Sequence, residues 1–348
     1  MAWCLDPRTT ELPSAEAKFC PPMTLGYGSQ MPSQSATEPP TPPNDASTDS
    51  AVGSTQSRGP IPSGFRTVGI VGSGIMGAGV AEVVARAGFT VIVASRSKER
   101  AGETEAAFAS SLNRQVEKGR LTLDDRDATL ALLTTTNAMG DLAQCDLVIE
   151  SIVEDLDRKR EVFGVLDEVC APHAILATNT STLPVVELAM RTKRPQQVCG
   201  IHFFNPAPAM SLVEVVNQIT AVPATIERAS AFARECGKDP VVVKDRAGFI
   251  VNALLFPYLN NAVRLLENGV ANRDDMDNAM KGGCGFPMGP FALLDLVGID
   301  TSVAILEALF AETRDPHVSP QPLLRRMVTA NMLGRKTGVG FYDYPKRA

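Results

Sequence analysis

The sequence predicts an α/β fold: a doubly wound sheet, then an all-helical C-terminal domain, preceded by a disordered N-terminal tail. Three observations predict it. Short apolar runs alternate with helical patterns over roughly residues 65–246, which is typical of strands wound with helices on both faces. Only helical patterns recur after residue 246, and residues 1–64 hold 11 of the 25 prolines. A length of 348 residues suits about two folded domains.

Strands are predicted at 67–71, 90–94, 146–150, 174–177, 198–203, 212–216 and 240–243, each a short run rich in valine and isoleucine or bounded by glycine. Helices are predicted at 75–87 and 98–118, and in the last part at 248–267, 273–280, 291–310 and 322–331. We therefore divide the chain into a tail (1–64), a sheet domain (65–246) and a helical domain (247–348). The tail has too few branched apolar residues to offset the entropy of ordering it.

Composition excludes several classes of protein. The chain has 33 basic and 39 acidic residues and therefore a net charge of −6. Such a chain has no overall positive electrostatic field that would attract nucleic acid. No apolar run reaches the roughly 18 residues of a membrane span. The seven cysteines form no C-x-x-C pair and there are only three histidines, which argues against disulfides and metal sites. These features favour a reduced, cytoplasmic compartment.

The turn after the first predicted strand carries a G-x-G-x-x-G pattern, with Gly72, Gly74, Ile75, Met76 and Gly77 as the expected contacts. A structural glycine turn is the alternative reading of such a pattern. Its position between a strand and a helix favours a dinucleotide site, because the turn brings backbone N–H groups to a pyrophosphate. The sheet domain is therefore predicted to be a Rossmann-type domain.

The end of the second strand bears on which dinucleotide binds. An acidic residue there would bind the ribose hydroxyls of NAD and repel a 2′-phosphate. This chain has Ser95 and Arg96, so the repulsion is absent and a guanidinium is available for the phosphate. We expect an NAD(P) cofactor with NADP favoured over NAD. The alternative is that Arg96 and Lys98 only begin a solvated helix.

Four polar residues in otherwise apolar or strand-end positions form a candidate catalytic set: Ser181, His202, Glu214 and Asn252. Oxidation of an alcohol needs a base near neutral pKa, and histidine suits that role. Because His202 and Glu214 lie on consecutive predicted strands joined by a short turn, the carboxylate can pair with the imidazole and orient it. Each residue alone has a structural alternative, and together they favour catalysis.

With these residues in place, the sequence resembles the L-3-hydroxyacyl-CoA dehydrogenases, most closely the stand-alone bacterial 3-hydroxybutyryl-CoA dehydrogenases. The resemblance covers residues 66–345. Its motifs are VGSGIMGAGVAE, VIESIVEDLDRKREVF, ATNTST, HFFNPAPAMSLVEVV, GFIVNALLFPYLNNA, GFPMGPFALLDLVGID and GRKTGVGFYDY. It implies interconversion of L-3-hydroxyacyl-CoA, with 3-hydroxybutanoyl-CoA as the favoured substrate, and 3-oxoacyl-CoA. His202 would be the general base, Glu214 its partner, and Ser181 and Asn252 the contacts of the reacting oxygen.

The resemblance also implies binding roles for other positions. Glu154, Lys159 and Asn205 would hold the nicotinamide half of the cofactor, and Lys336 would approach it. Ser111 and Lys118 match positions that contact coenzyme A. The helical domain would carry a homodimer interface. The departure from the family is Ser95, where the family usually has an acid.

Two other functions stay open on the sequence alone. One is a related dehydrogenase acting on an acyl-carrier-protein thioester or a sugar acid. The other is a non-catalytic NAD(P)-binding protein, which would bind the cofactor without turning over acetoacetyl-CoA.

Overall fold

The structure is a computed structural model, and it describes residues 63–344. Eight strands form one sheet: β1 (Thr67–Val71), β2 (Thr90–Ala94), β3 (Leu133–Thr136), β4 (Leu147–Glu150), β5 (Ile175–Thr178), β6 (Val198–Phe203), β7 (Leu212–Asn217) and β8 (Asp239–Lys244). Helices flank the sheet and make up most of the chain after β8. The predicted fold class is confirmed. The predicted tail lies outside the described residues except for Ser63 and Gly64.

The strand order is β3-β2-β1-β4-β5-β6-β7-β8. The first six strands in this order are parallel and follow the arrangement typical of dinucleotide-binding sheets. β7 runs antiparallel to β6, and β8 is parallel to β7. The reversal follows from the chain, because residues 204–211 are too few for a parallel crossover, which needs about a dozen.

The helices are α1 (Ile75–Arg86), α2 (Lys98–Glu117), α3 (Leu123–Ala131), α4 (Leu156–Val169), α5 (Val185–Ala189), α6 (Pro223–Glu235), α7 (Val251–Glu267), α8 (Arg273–Cys284), α9 (Pro290–Val297), α10 (Ile299–Thr313) and α11 (Pro322–Thr329). Alternate strand residues point to opposite faces of the sheet. Ile70 and Ile149 share one apolar cluster with Phe232 of α6. Val148 and Leu176 pack on the other face with Phe163 of α4. The central strands of the sheet are therefore buried on both faces.

Two features of the fold differ from the predicted elements. The edge strand β3 was not predicted, because its residues 133–136 read LTTT and are only half-buried, so they give no apolar run. The helix predicted over 291–310 is two helices. Gly298 separates α9 from α10 with φ of +104°, a conformation that other residues rarely adopt.

The helices after β8 have their own core, in which Phe256, Leu294 and Leu306 are buried. The closing segment folds onto it, since Asp295 accepts the N–H groups of Phe341 (2.9 Å) and Tyr342 (2.8 Å). Within residues 63–344, no helix combines the length and apolar character needed to cross a membrane.

The described chain begins on the surface of α6. Ser63 is buried, and both its N–H and its hydroxyl donate to Glu235. Its carbonyl accepts from Arg228 Nε at 2.9 Å. Ser63 belonged to the predicted tail, whereas its hydrogen bonds join it to the folded body.

Candidate active site

Most of the candidate site residues lie at one edge of the sheet, where β1, β4, β5 and β6 end. These four strands are neighbours and run in one direction. Their carboxyl ends therefore face the same crevice, which is where such sheets bind ligands. β6 lies three strands from β1, about 14 Å at the usual strand spacing. The glycine turn after β1 and the histidine on β6 thus lie at opposite ends of one elongated site.

The glycine turn has the shape that a pyrophosphate needs. Gly72 has φ of +115°, and a Cβ there would lie 2.5 Å from the carbonyl oxygen of Ser151. A Cβ on Gly77 would lie 1.9 Å from the carbonyl oxygen of Gly72. Gly74, by contrast, has no atom within 4 Å of the same position. The turn is closely packed at Gly72 and Gly77 and open at Gly74, beside the first residues of α1, the exposed Ile75 and the partly buried Met76. A dinucleotide therefore fits there.

The end of β2 presents a basic surface without an acid on the strand. Ser95 is buried, and its hydroxyl has no hydrogen-bond partner within the described chain. Arg96 is exposed and forms no ion pair with any residue in 63–344. Ser97 caps the start of α2, accepting the N–H of Arg100 at 3.3 Å.

His202 and Glu214 form the centre of the site. They face each other across the antiparallel pair of β6 and β7, and Nδ1 of His202 lies 2.8 Å from Oε2 of Glu214. Both residues are buried. A carboxylate can only accept, so Nδ1 carries the hydrogen and Nε2 is left as the acceptor. The pairing that the sequence predicted is present.

Glu214 also anchors the helix that carries Asn252. Its Oε1 accepts the N–H groups of Ile250 and Val251, each at 3.0 Å, so the carboxylate occupies the N-terminus of α7. Burial favours the neutral form, but the hydrogen bonds from His202 and Val251 outweigh it and hold the pKa of Glu214 below its ordinary value. Asn252 follows directly and is buried in the first turn. One carboxylate therefore orients the imidazole and positions the helix beside it.

Aromatic rings enclose the imidazole. The ring centroids of Phe204 and Phe249 lie 4.5 and 5.6 Å from that of His202. Phe249 adopts φ of +47°, an uncommon conformation for a bulky residue that costs of order 1–3 kcal/mol. Its backbone turns the chain from β8 into α7 and places the ring against the histidine.

Ser181 lies in the loop after β5, where Glu154 holds it. Oε1 of Glu154 accepts the N–H of Ser181 at 3.0 Å and its hydroxyl at 3.3 Å, and Lys159 lies 3.3 Å from Oε2. Burial disfavours the charged form of Glu154, but the Lys159 ammonium and the Thr180 hydroxyl outweigh it, so its pKa lies below the ordinary value. Asn205 lies exposed just after β6.

The three remaining predicted residues occupy other elements. Ser111 donates to Glu82 of α1 at 2.8 Å, and Lys118 is exposed at the end of α2. Lys336 lies in the closing segment and pairs with Asp300 of α10. None of these three forms a hydrogen bond or ion pair with His202, Glu214 or Ser181 in the described structure.

Three polar residues that the sequence analysis did not single out support the site. Glu150 ends β4 and is fully buried. Asn179 Oδ1 accepts the N–H of Phe203 at 2.8 Å and so joins the ends of β5 and β6. Lys238 is buried, and its ammonium donates to the carbonyls of Ala207 (2.8 Å) and Met210 (2.7 Å) in the turn after His202. Only Glu150 carried a signal in the sequence, a charged residue at the end of an apolar strand.

Comparison with known proteins agrees with this geometry. Residues 67–246 match the family model "3-hydroxyacyl-CoA dehydrogenase, NAD binding domain", and residues 248–344 match "3-hydroxyacyl-CoA dehydrogenase, C-terminal domain". A 3-hydroxybutyryl-CoA dehydrogenase of Mycobacterium tuberculosis is 47% identical over 282 residues, 80% of this chain and 99% of that protein. The mitochondrial hydroxyacyl-coenzyme A dehydrogenase of Sus scrofa is 42% identical over 285 residues, 80% of this chain and 90% of that protein.

A crystal structure of (S)-3-hydroxybutyryl-CoA dehydrogenase from Ralstonia eutropha superposes with a TM-score of 0.79 and 40% identity, over 81% of this chain and 100% of that chain. The NAD-binding family model over residues 67–246 also indicates a nicotinamide cofactor. With the dinucleotide turn, the buried His–Glu pair and both domain matches in one chain, the protein belongs to the 3-hydroxyacyl-CoA dehydrogenase family.

Proposed function

We propose that the protein interconverts L-3-hydroxybutanoyl-CoA and acetoacetyl-CoA with a nicotinamide dinucleotide. The observation that carries the proposal is the buried pair of His202 and Glu214, 2.8 Å apart, on the sheet edge that also bears the dinucleotide turn. The names of the similar proteins support the substrate class. When bound, the dinucleotide accepts hydride from C3 of the hydroxyacyl chain or donates it to the keto form.

His202 moves the proton. Nε2 accepts the proton of the 3-hydroxyl during oxidation, and it returns the proton to the 3-keto oxygen during reduction. Glu214 lies on the far side of the ring and stabilises the imidazolium in between, because an ionised carboxylate within hydrogen-bond distance favours the charged histidine. Burial of both groups strengthens that interaction relative to water.

Ser181 and Asn252 would bind the reacting oxygen from two sides of the crevice. The hydroxyl of Ser181 bonds Glu154 at 3.3 Å, which is long for an O–H donor, so it can turn to the substrate at small cost. Asn252 is fixed by its position in the first turn of α7. Ser111 of α2 and Lys118, the residue that caps the end of this helix, are seven positions apart, a spacing that places both on one side of the helix. Lys118 supplies a positive charge for the phosphates of coenzyme A.

The proposal includes a preference for NADP(H). Three features of the β2 end support it: the neutral Ser95, the exposed guanidinium of Arg96 and the N-terminus of α2, where partial positive charge collects. A charge-assisted contact worth about 1.5–3 kcal/mol would give roughly a 10- to 150-fold preference. The effect should appear mainly in KM, because the ribose end is remote from the hydride.

A rate comparison tests reaction and cofactor together. The purified protein should reduce acetoacetyl-CoA with both cofactors, with a higher kcat/KM for NADPH than for NADH. Ser95→Asp with Arg96→Gln should reverse that order. Dinucleotide binding without turnover of acetoacetyl-CoA would refute the dehydrogenase assignment and favour a non-catalytic binder. Equal kcat/KM for the two cofactors would refute only the NADP preference, and faster turnover of a carrier-protein thioester or sugar acid would refute the CoA substrate.

A homodimer through the C-terminal helices is also proposed. Three large apolar side chains of this region are solvent-exposed: Leu254 (72%) on α7, Val270 (65%) between α7 and α8, and Phe286 (42%) just after α8. If these side chains form one contiguous patch, that patch would mark an association site. Light scattering should give twice the chain mass, and Leu254→Glu should halve it. A wild-type protein with the mass of one chain would contradict the proposal.

A further inference from the structure

A network of three charged side chains lies beneath the Ser181 loop: Glu150 and Lys159 are buried, and Glu154 is 37% exposed. Glu150, the last residue of β4, has no solvent exposure, and Lys159 of α4 is 1% exposed. Nζ of Lys159 lies 2.8 Å from Oε1 of Glu150 and 3.3 Å from Oε2 of Glu154. The ammonium therefore links one fully buried carboxylate to a second that reaches the site.

Glu150 is itself fixed from both sides. Its Oε1 accepts the N–H of Ile152 at 2.6 Å, and its Oε2 accepts the hydroxyl of Thr178 at 2.7 Å. Thr178 is the last residue of β5. Glu150 thus ties the ends of two neighbouring strands together and presents one oxygen to Lys159.

Glu154, which Lys159 holds, in turn fixes the position of the loop after β5. Its Oε1 accepts the hydroxyl of Thr180 at 2.6 Å, the N–H of Ser181 at 3.0 Å and the N–H of Thr182 at 3.2 Å. A single carboxylate oxygen therefore sets the path of three consecutive residues. If Lys159 moved, the position of this oxygen and of the Ser181 hydroxyl would change with it.

A contribution to the free energy of folding does not by itself explain this network. A buried ion pair repays the loss of hydration only partly, and well-packed apolar residues often replace it without cost. Here two carboxylates share one ammonium, so the charges do not even balance. A geometric role accounts for the arrangement better than an energetic one, since fixed charges hold a loop to a fraction of an ångström.

We propose that Glu150 is a positioning residue of the dehydrogenase, which acts through Lys159 and Glu154 to hold Ser181 against the reacting oxygen. This inference rests on the proposed function, because it assigns Ser181 to the substrate. Glu150 has no exposed surface and does not itself meet substrate or cofactor. Its contribution is transmitted along the chain Glu150–Lys159–Glu154–Ser181.

The test is a double-mutant cycle on Glu150→Gln and Lys159→Met, read by kcat for acetoacetyl-CoA reduction, KM and Tm. Glu150→Gln should lower kcat about 10- to 100-fold, the usual cost of disturbing the support of a catalytic group. In the Lys159→Met background the same change should lower kcat no further, because the link is already cut. The double variant should have a higher Tm than either single variant, since no unpaired buried charge remains.

Asp167→Asn is the matched control. Asp167 is a buried carboxylate of α4 that pairs with Arg194 at 2.8 Å, and it bonds none of the site residues. This variant should have a lower Tm than the wild type and an unchanged kcat. If Glu150→Gln loses Tm and keeps kcat in the same way, Glu150 is only structural and the inference is wrong.

Two further outcomes would also overturn the inference. If the fold-loss of kcat in the double variant equals the product of the losses in the two single variants, Glu150 does not act through Lys159. A wild-type protein without turnover would refute the proposed function and this inference with it, whereas wild-type turnover with an unaffected Glu150→Gln refutes this inference alone.

Discussion

Replacing Glu214 by glutamine tests whether this carboxylate sets the protonation state of His202. In the structure Nδ1 of His202 lies 2.8 Å from Oε2 of Glu214, so Nδ1 carries the hydrogen and Nε2 can accept a proton. An amide in the same place can present its N–H to Nδ1, and the imidazole hydrogen then moves to Nε2. The histidine would hold a proton on the nitrogen that must accept one.

We expect kcat to fall about 10²–10⁴-fold, the share of general acid–base catalysis, which equals about 2.7–5.4 kcal/mol in the barrier. The amide oxygen can still accept the N–H groups of Ile250 and Val251, as Oε1 of Glu214 does at 3.0 Å. These bonds become neutral and weaker, so Tm falls modestly and α7 keeps its start. Dinucleotide affinity, measured by fluorescence titration, should stay close to the wild-type value.

The assay follows the loss of NADPH absorbance with acetoacetyl-CoA. Glu187→Gln is the matched control, because Glu187 is an exposed partner of Arg160 and should leave kcat unchanged. His202→Gln sets the lower limit, and adding Glu214→Gln to it should cost little more, since the two residues act as one unit. A kcat for Glu214→Gln equal to that of the control would refute the reasoning.

The dependence of Tm on pH in the acid range offers a second test of the ionised state of Glu214. Its pKa lies below the ordinary value of 4.5 in the folded protein, so the folded state gains from its ionised form. That gain is complete above the unfolded pKa and is lost as the pH falls through the folded pKa. The difference in Tm between wild type and Glu214→Gln should therefore be constant near neutral pH and shrink in acid. A difference that grows in acid would contradict the assignment.

The remaining predictions concern the glycine turn and the turn after β6. Gly77→Ala should lower both Tm and dinucleotide affinity, because its Cβ would lie 1.9 Å from the carbonyl oxygen of Gly72. Gly74→Ala, whose Cβ would meet no atom within 4 Å, should bind the dinucleotide about tenfold or more weakly and keep the wild-type Tm. Equal Tm values for the two variants would refute this distinction. Lys238→Met should cost about 1–3 kcal/mol of unfolding free energy in urea, because the carbonyls of Ala207 and Met210 lose their donor. The exposed Lys244→Met is its control, and equal unfolding free energies for these two variants would show that the buried ammonium does not stabilise the turn.

The sequence predicts the central strands well because their residues are buried on both sides. Val148 and its neighbours in β4 form a continuous apolar run, which reads as a strand without reference to any partner. The edge strand β3 has no such signal, because it is only half-buried and its sequence LTTT contains one apolar residue. The break at Gly298 also escapes the pattern, because apolar spacing continues from α9 into α10 across the glycine.

For the candidate active site, the sequence alone determined the residue types and their order: a glycine turn after a strand, a histidine and a glutamate on consecutive strands, and an asparagine in the first turn of a helix. Because the connection between β6 and β7 is short, the two strands must pair antiparallel. The position of Glu214 opposite His202 therefore also follows from local chain geometry. Only the tertiary structure decided which buried charges meet. Glu150 and Lys159 are nine residues apart, and Lys238 reaches back to a turn some 30 residues earlier. These contacts depend on how helices pack over strand ends, which no short-range pattern encodes, because the groups that compensate a buried charge come from wherever the fold brings them.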